Sequence, residues 1–259
     1  MYIDVTNVSK VYQQQNTKED LTVLDDVSLG INKGEFVCLL GPSGCGKTTM
    51  LNMIAGFEHA TLGQIKIDGK PVTEPSIKYV TIFQNYGLLP WRTVQGNVEL
   101  GLESLGYDRL TIKTIAQEYI ELVGLSNFRK HHPNQLSGGM QQRVAVARAL
   151  AVDPDILFMD EPFGALDAMT RLKMQDEISN IWEAKKKTIL FVTHDIEEAV
   201  FLADRIVIMS PHPGKIKTII DVPMPRKRDR TGADFLEIRD QVFHQFEHEF
   251  DGLKEKASV

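Results

Sequence analysis

Cysteine is scarce in this chain: two residues, Cys38 and Cys45, in 259. A disulfide framework needs several paired cysteines, so the fold must rest on a buried apolar core, and a chain of this length can build one. Long apolar runs are also missing. None exceeds five residues, as at 36–40, whereas a spanning helix needs about 20 predominantly apolar residues, so no bilayer crossing is expected. Positive charge is not in excess: 29 Lys and Arg against 35 Asp and Glu give a net charge of −6. General nucleic-acid binding leaves a basic footprint, and that class of partner is not expected. Internal repeats and low-complexity tracts are absent, and the composition is that of a globular chain rather than a disordered or fibrous one. The start MYIDVTNVSKVY has neither the basic beginning nor the continuous apolar stretch of a secretory signal, so the expectation is a cytosolic protein with both thiols reduced.

What is present is an alternation of short apolar runs with helical patterns. Ile3 and Val5 alternate with polar neighbours as in a half-buried strand, the polar stretch 13–20 reads as a loop, and a second strand includes Val27 and Leu29. Gly30 is expected to weaken that strand. The run 36–40 suits a strand buried on both faces, and 47–55 a helix ending near Gly56. Ile65 and Ile67 before Asp68-Gly69 predict a strand and turn, and 79–83 a further strand. From 93 to about 130 the apolar spacing is helical, through Val94, Val98, Leu102, Ile112, Ile115, Tyr119 and Leu122. Strands at 156–159, 189–192 and 206–209 alternate with helices around 169–186 and 196–203, which predicts a largely parallel sheet covered by helices.

Three motifs carry chemistry. Gly41, Gly46, Lys47 and Thr48 match the pattern G-x-x-x-x-G-K-S/T between a buried strand and a helix. Such a loop wraps phosphate oxygens in backbone N–H groups at a helix N-terminus. Pro42, Ser43, Gly44 and Cys45 complete it, Lys47 neutralises the outer phosphates, Thr48 ligates magnesium through its hydroxyl, and Thr49 bonds a phosphate oxygen. Cys45 holds a variable position, and its thiol is expected to be shielded by nucleotide. The apolar strand 156–159 ends in Asp160-Glu161, with Asp160 placed for magnesium and Glu161 to orient and deprotonate an attacking water. Leu136-Ser137-Gly138-Gly139-Met140-Gln141-Gln142-Arg143 opens another helix, a second anion site on the same chain.

Taken together these motifs resemble the ATP-binding cassette (ABC) family over roughly residues 2–220, and LSGGMQQR at 136–143 is similar to the family signature. The resemblance implies an α/β fold: a P-loop NTPase core with a mostly parallel sheet, an N-terminal antiparallel β subdomain and an inserted α-helical subdomain. It implies an ATPase domain over 1–225, with the helical insertion at about 93–150, and a short helical extension over 226–259. ATP and Mg2+ are the implied cofactors. Two cassettes are expected to pair head to tail, so that Ser137, Gly138, Gly139 and Gln141 of one close over the ATP held by the other. Tyr12 resembles the aromatic that stacks on adenine, and Gln84 the glutamine that senses magnesium and γ-phosphate. Asp167, after Ala165-Leu166, resembles the link between the two ATP sites, and His194 the switch histidine that contacts γ-phosphate. The implied catalytic set is Glu161, His194, Lys47 and Gln84, and the implied metal set Thr48, Gln84 and Asp160.

The stretch 84–94, with Trp91 and Arg92, lies where cassettes dock a membrane permease. Together with 209–216 and 221–230 it is similar to cassettes of nitrate, sulfonate and taurine importers. The implied role is uptake of a small anionic solute, with bicarbonate also in that class. A separate permease and a periplasmic or lipoprotein solute-binding protein would be the further partners, and the chain would sit peripherally at the cytoplasmic face of the inner membrane. An exporter cassette and a soluble non-transport cassette remain alternatives, although the long coiled coils or tandem cassettes of the soluble class are missing. The basic run 226–230 reads as a solvated connection, and Phe235, Ile238, Val242, Phe246 and Phe250 as the apolar stripe of a helix.

Overall fold

The computed structural model describes residues 1–13, 20–83, 85–164, 166–211 and 213–256, with 247–256 as backbone alone. Most of the expected loop at 13–20, together with Gln84 and Ala165, therefore lies outside the described residues. The chain divides into two compact units, Met1–Pro75 with Gln175–Val259, and Ser76–Met174.

The first unit opens with β1 (Ile3–Gln13), β2 (Asp20–Ile31), β3 (Phe36–Leu40), α1 (Lys47–Ala55), β4 (Leu62–Ile67) and β5 (Lys70–Pro71). β2-β1-β4-β5 make an antiparallel sheet. Its apolar face is read from the buried Ile3, Val5, Leu29, Ile31 and Ile67, the period-2 alternation expected where one face of a sheet is covered. Gly30 does not interrupt β2. It pairs with Asp4 and its carbonyl accepts a hydrogen bond from Arg205, so backbone bonding compensates for the missing side chain.

The second unit holds β6 (Tyr79–Ile82), α2 (Val94–Glu103), α3 (Arg109–Leu122), α4 (Gly138–Ala151) and β7 (Ile156–Asp160). β6 and β7 are parallel neighbours in the register Tyr79↔Ile156 to Ile82↔Met159. Thr93 caps α2 by accepting from Gly96 N–H, and Asp108 caps α3 by accepting from Leu110 and Thr111 N–H. Those caps fix where each helix begins. The helical region expected over 93–150 falls within this unit.

α5 (Ala168–Lys185) leads back to the first unit, followed by β8 (Thr188–Thr193), α6 (Ile196–Leu202), β9 (Arg205–Ser210), β10 (Lys215–Asp221) and α7 (Ala233–Lys256). β3 lies parallel to both β8 and β9, and β10 returns antiparallel to β9. Every residue of β3 and β8 is buried, as expected for strands covered on both faces. Phe36 and Phe191 are among the largest wholly or nearly buried side chains, with ring centroids 6.1 Å apart. Among the described residues no helix is long and apolar enough to cross a membrane.

The basic run 226–230 is not a solvated connection. Arg228 is buried and donates to the carbonyls of Val200, Phe201 and Ala203 at 2.7, 3.1 and 2.7 Å, and to those of Val222 and Met224. Arg226 donates to the carbonyl of Leu202 and to Asp204, and its guanidinium lies 4.2 Å from the centre of the Trp182 ring. α6 ends at Leu202, so its last carbonyls lack intrahelical donors. The arginines supply them from a distant segment, an arrangement that local charge density does not reveal.

Candidate active site

In the first unit two functional segments leave the carboxyl ends of neighbouring strands. Leu40 on β3 is in register with Thr193 on β8, so the loop from Gly41 and the turn at His194 emerge side by side. Carboxyl ends of parallel strands are where open α/β sheets hold ligands. Gly44 and Gly46 have φ of 80° and 90°, a region that side-chain-bearing residues rarely adopt. Gly46 is the residue before α1 and offers no side-chain cap, so the first-turn N–H groups are left for an anion.

Lys47 is 5% exposed. Its ammonium donates to the carbonyls of Gly41 at 2.7 Å and Pro42 at 2.9 Å, a positive charge held across the loop. Ser43, Gly44 and Thr48 are exposed, while Pro42 and Thr49 are half-buried. Cys45 has no exposed surface, and burial raises its thiol pKa against the opposing charge of Lys47. The chain itself therefore shields this thiol without nucleotide, and Cys45 can offer a ligand only backbone.

Tyr12, on β1, donates its hydroxyl to Glu58 and also interacts with Thr49. Burial and the Glu58 carboxylate push its pKa up to about 12. The Lys10 ammonium lies 4.8 Å from the centre of the ring, close enough for a cation–π contact. His194 is exposed and lines a cavity of about 610 Å3 with Asp195, Ile196, Glu197, Arg239, Asp240 and Phe243.

The second unit repeats the arrangement. Ile82 is in register with Met159, which sets the end of β6 beside Asp160. Asp160 is buried at 7% exposure. Glu161 has φ of 44°, a left-handed conformation that costs a residue with a side chain roughly 1–3 kcal/mol and tends to be stored at functional sites. The Glu161 carbonyl accepts from Gly164 N–H at 3.2 Å, closing the turn. Asp167 caps α5: its carboxylate accepts from Thr170 N–H at 3.0 Å, and its bonds to Thr170 lower its pKa.

Ser137 caps α4 by accepting from Met140 N–H. Ser137 and Gly138 are exposed and Gly139 half-buried, so this helix start is presented outward. The carboxamide of Gln141 donates to the carbonyls of Pro133 and Leu136, holding the segment before the helix.

Other residues of the site were not visible as motifs. A Cβ added at Gly214 would lie 2.1 Å from the Cys45 carbonyl oxygen, and Gly214 N–H donates to Val23 at 2.9 Å. This glycine lets the 213–215 backbone press against the phosphate loop, and Pro213-Gly214 was its one local signal. Arg148 donates to the carbonyls of Tyr86 and Gly87, at 2.8 and 2.7 Å. Asn97, fully buried, donates to the carbonyls of Leu89, Arg92 and Thr93 and accepts from Leu89 N–H. Together they fix 86–93 and leave Trp91 71% exposed.

Comparison with known proteins follows the same lines. The ABC transporter family matches residues 24–164. The aliphatic sulfonates import ATP-binding protein SsuB of Bacillus cereus is 47% identical over 247 residues, 95% of this chain and 96% of that protein. The bicarbonate transport ATP-binding protein CmpD of Synechocystis is 43% identical, covering 96% of this chain and 91% of its own. Among solved structures, a dimeric bacterial ABC transporter cassette superposes with a TM-score of 0.79 at 36% identity, over 86% of this chain and all of that one. A post-hydrolysis state of an ATP-binding cassette bound to ADP and phosphate gives 0.78 at 35%, with the same coverage.

Proposed function

Because the chain belongs to the ABC transporter family and is an ATP-binding, ATP-hydrolysing cassette of it, we propose that it is the motor subunit of an importer, driving uptake of a small anionic solute through a separate permease. Support for import comes from relatives named for aliphatic sulfonate import and bicarbonate transport, aligned over nearly the whole chain. The observation that carries the membrane partner is Trp91, projected into solvent from a turn that the buried Asn97 holds rigid. An exposed aromatic on a fixed backbone is a typical interface anchor. Between α2 and α3 of the same unit runs a groove of about 720 Å3 lined by Gln95, Glu99, Glu103, Leu110 and Lys113. A short cytosolic permease helix is the occupant that fits this role.

We assign the ATPase domain to 1–225, its helical subdomain to 93–150 and the extension to 226–259. The loop 41–49 and Lys47 take the β- and γ-phosphates, and Tyr12 the adenine. Thr48, Gln84 and Asp160 offer hydroxyl, amide and carboxylate oxygens, a donor set that suits magnesium. The metal, when bound, neutralises charge on the phosphates. Glu161 accepts the proton of the attacking water as its oxygen bonds to the γ-phosphorus and the bridging P–O bond to ADP breaks. His194 donates to the γ-phosphate. Ser137, Gly138, Gly139 and Gln141 act on the ATP of a facing cassette, identical or homologous, and Asp167 links the two sites. The complex sits at the cytoplasmic face of the inner membrane and receives solute from a binding protein outside it.

Glu161→Gln is expected to keep ATP affinity, lose hydrolysis by about 10²–10⁴-fold and accumulate an ATP-dependent dimer in size-exclusion chromatography. Near-normal turnover in that variant rules out the assigned base. Co-purification from detergent-solubilised membranes tests the importer role. A permease accompanied by a solute-binding protein supports import, and a permease without one, or no membrane partner, favours the exporter or soluble alternative.

A further inference from the structure

The C-terminal extension reaches the histidine turn through a continuous set of buried polar groups. The Arg230 guanidinium donates to Gln175 Oε1 at 2.6 Å, and Gln175 Nε2 donates to Glu198 Oε1 at 3.1 Å. The other carboxylate oxygen of Glu198 accepts from the Thr193 hydroxyl at 2.7 Å. Thr193 Oγ1 in turn accepts the backbone N–H of Asp195 at 3.0 Å. The last two bonds bracket His194: the side chain before it holds the peptide after it.

Gln175, Glu198 and Thr193 are 1%, 5% and 2% exposed. Water does not readily replace a lost partner at such depth, so each bond constrains the next. Arg230 is itself fixed, its guanidinium 3.7 Å from the centre of the Phe201 ring on α6, and Arg228 anchors the same segment two residues earlier. His194 lines a cavity, and the peptide that follows it is the one the Thr193 hydroxyl holds.

We infer that Arg230 is a positioning residue for ATP hydrolysis, acting through Gln175, Glu198 and Thr193 to set the backbone that presents His194. The inference rests on the assignment of His194 to the γ-phosphate. Cutting the relay at either end loosens the His194–Asp195 peptide without removing a group that touches nucleotide. Chemistry then slows while ATP binding is kept, since a misaimed donor loses transition-state stabilisation before it loses ground-state affinity.

The test uses steady-state hydrolysis by the full chain, with thermal unfolding as a check on folding. Arg230→Gln should lower kcat about ten-fold with KM for ATP within about two-fold. Thr193→Val, which removes only the hydroxyl in a side chain of the same shape, should do the same, and Thr193→Ser should restore the rate. In a His194→Ala background neither Arg230→Gln nor Thr193→Val should slow the enzyme further, because both act through that side chain. Equal fractional losses in both backgrounds, or an unchanged kcat in both relay variants, overturns the inference while leaving the His194 assignment intact. A His194→Ala variant that hydrolyses ATP at the unsubstituted rate defeats the assignment itself, and the relay with it.

Discussion

At the scale of single residues, the site depends on positions where the backbone has no room or no ease. Gly214 is the sharpest case. A methyl group there would meet the Cys45 carbonyl oxygen at 2.1 Å and the Val23 carbonyl oxygen at 3.0 Å, both backbone atoms that cannot rotate away. Gly214→Ala should therefore shift the phosphate loop and weaken ATP binding by about ten-fold, about 1.4 kcal/mol, in a fluorescent-nucleotide titration. Unaltered affinity would show that the loop tolerates the displacement. Glu161 illustrates the other kind of cost, a side-chain-bearing residue held at positive φ where glycine would relieve strain but supply no carboxylate. The motif made Glu161 a candidate; the strain in its backbone is visible only in the structure.

At the scale of elements, α6 and the segment after β10 stabilise each other. α6 has only seven residues, so a large share of its carbonyls have no partner within the helix. Arg228 serves two of them, on Val200 and Phe201, together with the carbonyl of Ala203 just past the helix and two carbonyls of its own segment. Burial and the neighbouring Arg226 lower its pKa to about 9, which leaves it charged at neutral pH. Arg228→Met keeps the length of the stem but removes every donor, and should destabilise the chain by roughly 2–4 kcal/mol in urea unfolding. A change within about 0.5 kcal/mol would mean that solvent satisfies these carbonyls instead. Periodicity made α1 and α6 legible almost to the residue, because apolar spacing is a local property, whereas the single helical stretch expected from 93 to about 130 is two helices, α2 and α3, parted at 104–108. The anchoring of Arg226 and Arg228 was not legible, since basic residues in sequence look alike whether they meet water or carbonyls.

For the molecule as a whole, the signature helix matters because its start faces outward. Ser137 and Gly138 are exposed, which the proposed role of completing another cassette's site requires. Specific ATPase activity should then rise with protein concentration rather than stay constant. Gly138→Asp should abolish that rise while leaving nucleotide binding intact. Its Cβ would find the Tyr86 hydroxyl at 3.6 Å, an ordinary contact, so the fold accepts it, whereas a carboxylate set against phosphate repels. Hydrolysis that is independent of concentration in the parent chain would contradict the head-to-tail pairing.

The sequence by itself determined the α/β class, the phosphate-loop motif, the acidic strand end and the signature motif at a helix start, because each depends on residue type at short spacing. The tertiary structure decided what long-range contact controls. It set Leu40 against Thr193, so that the loop and His194 leave adjacent strand ends. It sealed the Cys45 thiol with the chain's own atoms, brought Gly214 under the loop and joined Arg230 to Thr193 through Gln175 and Glu198. Those partners are far apart in sequence, and nothing in the local pattern of either one encodes where the other will be.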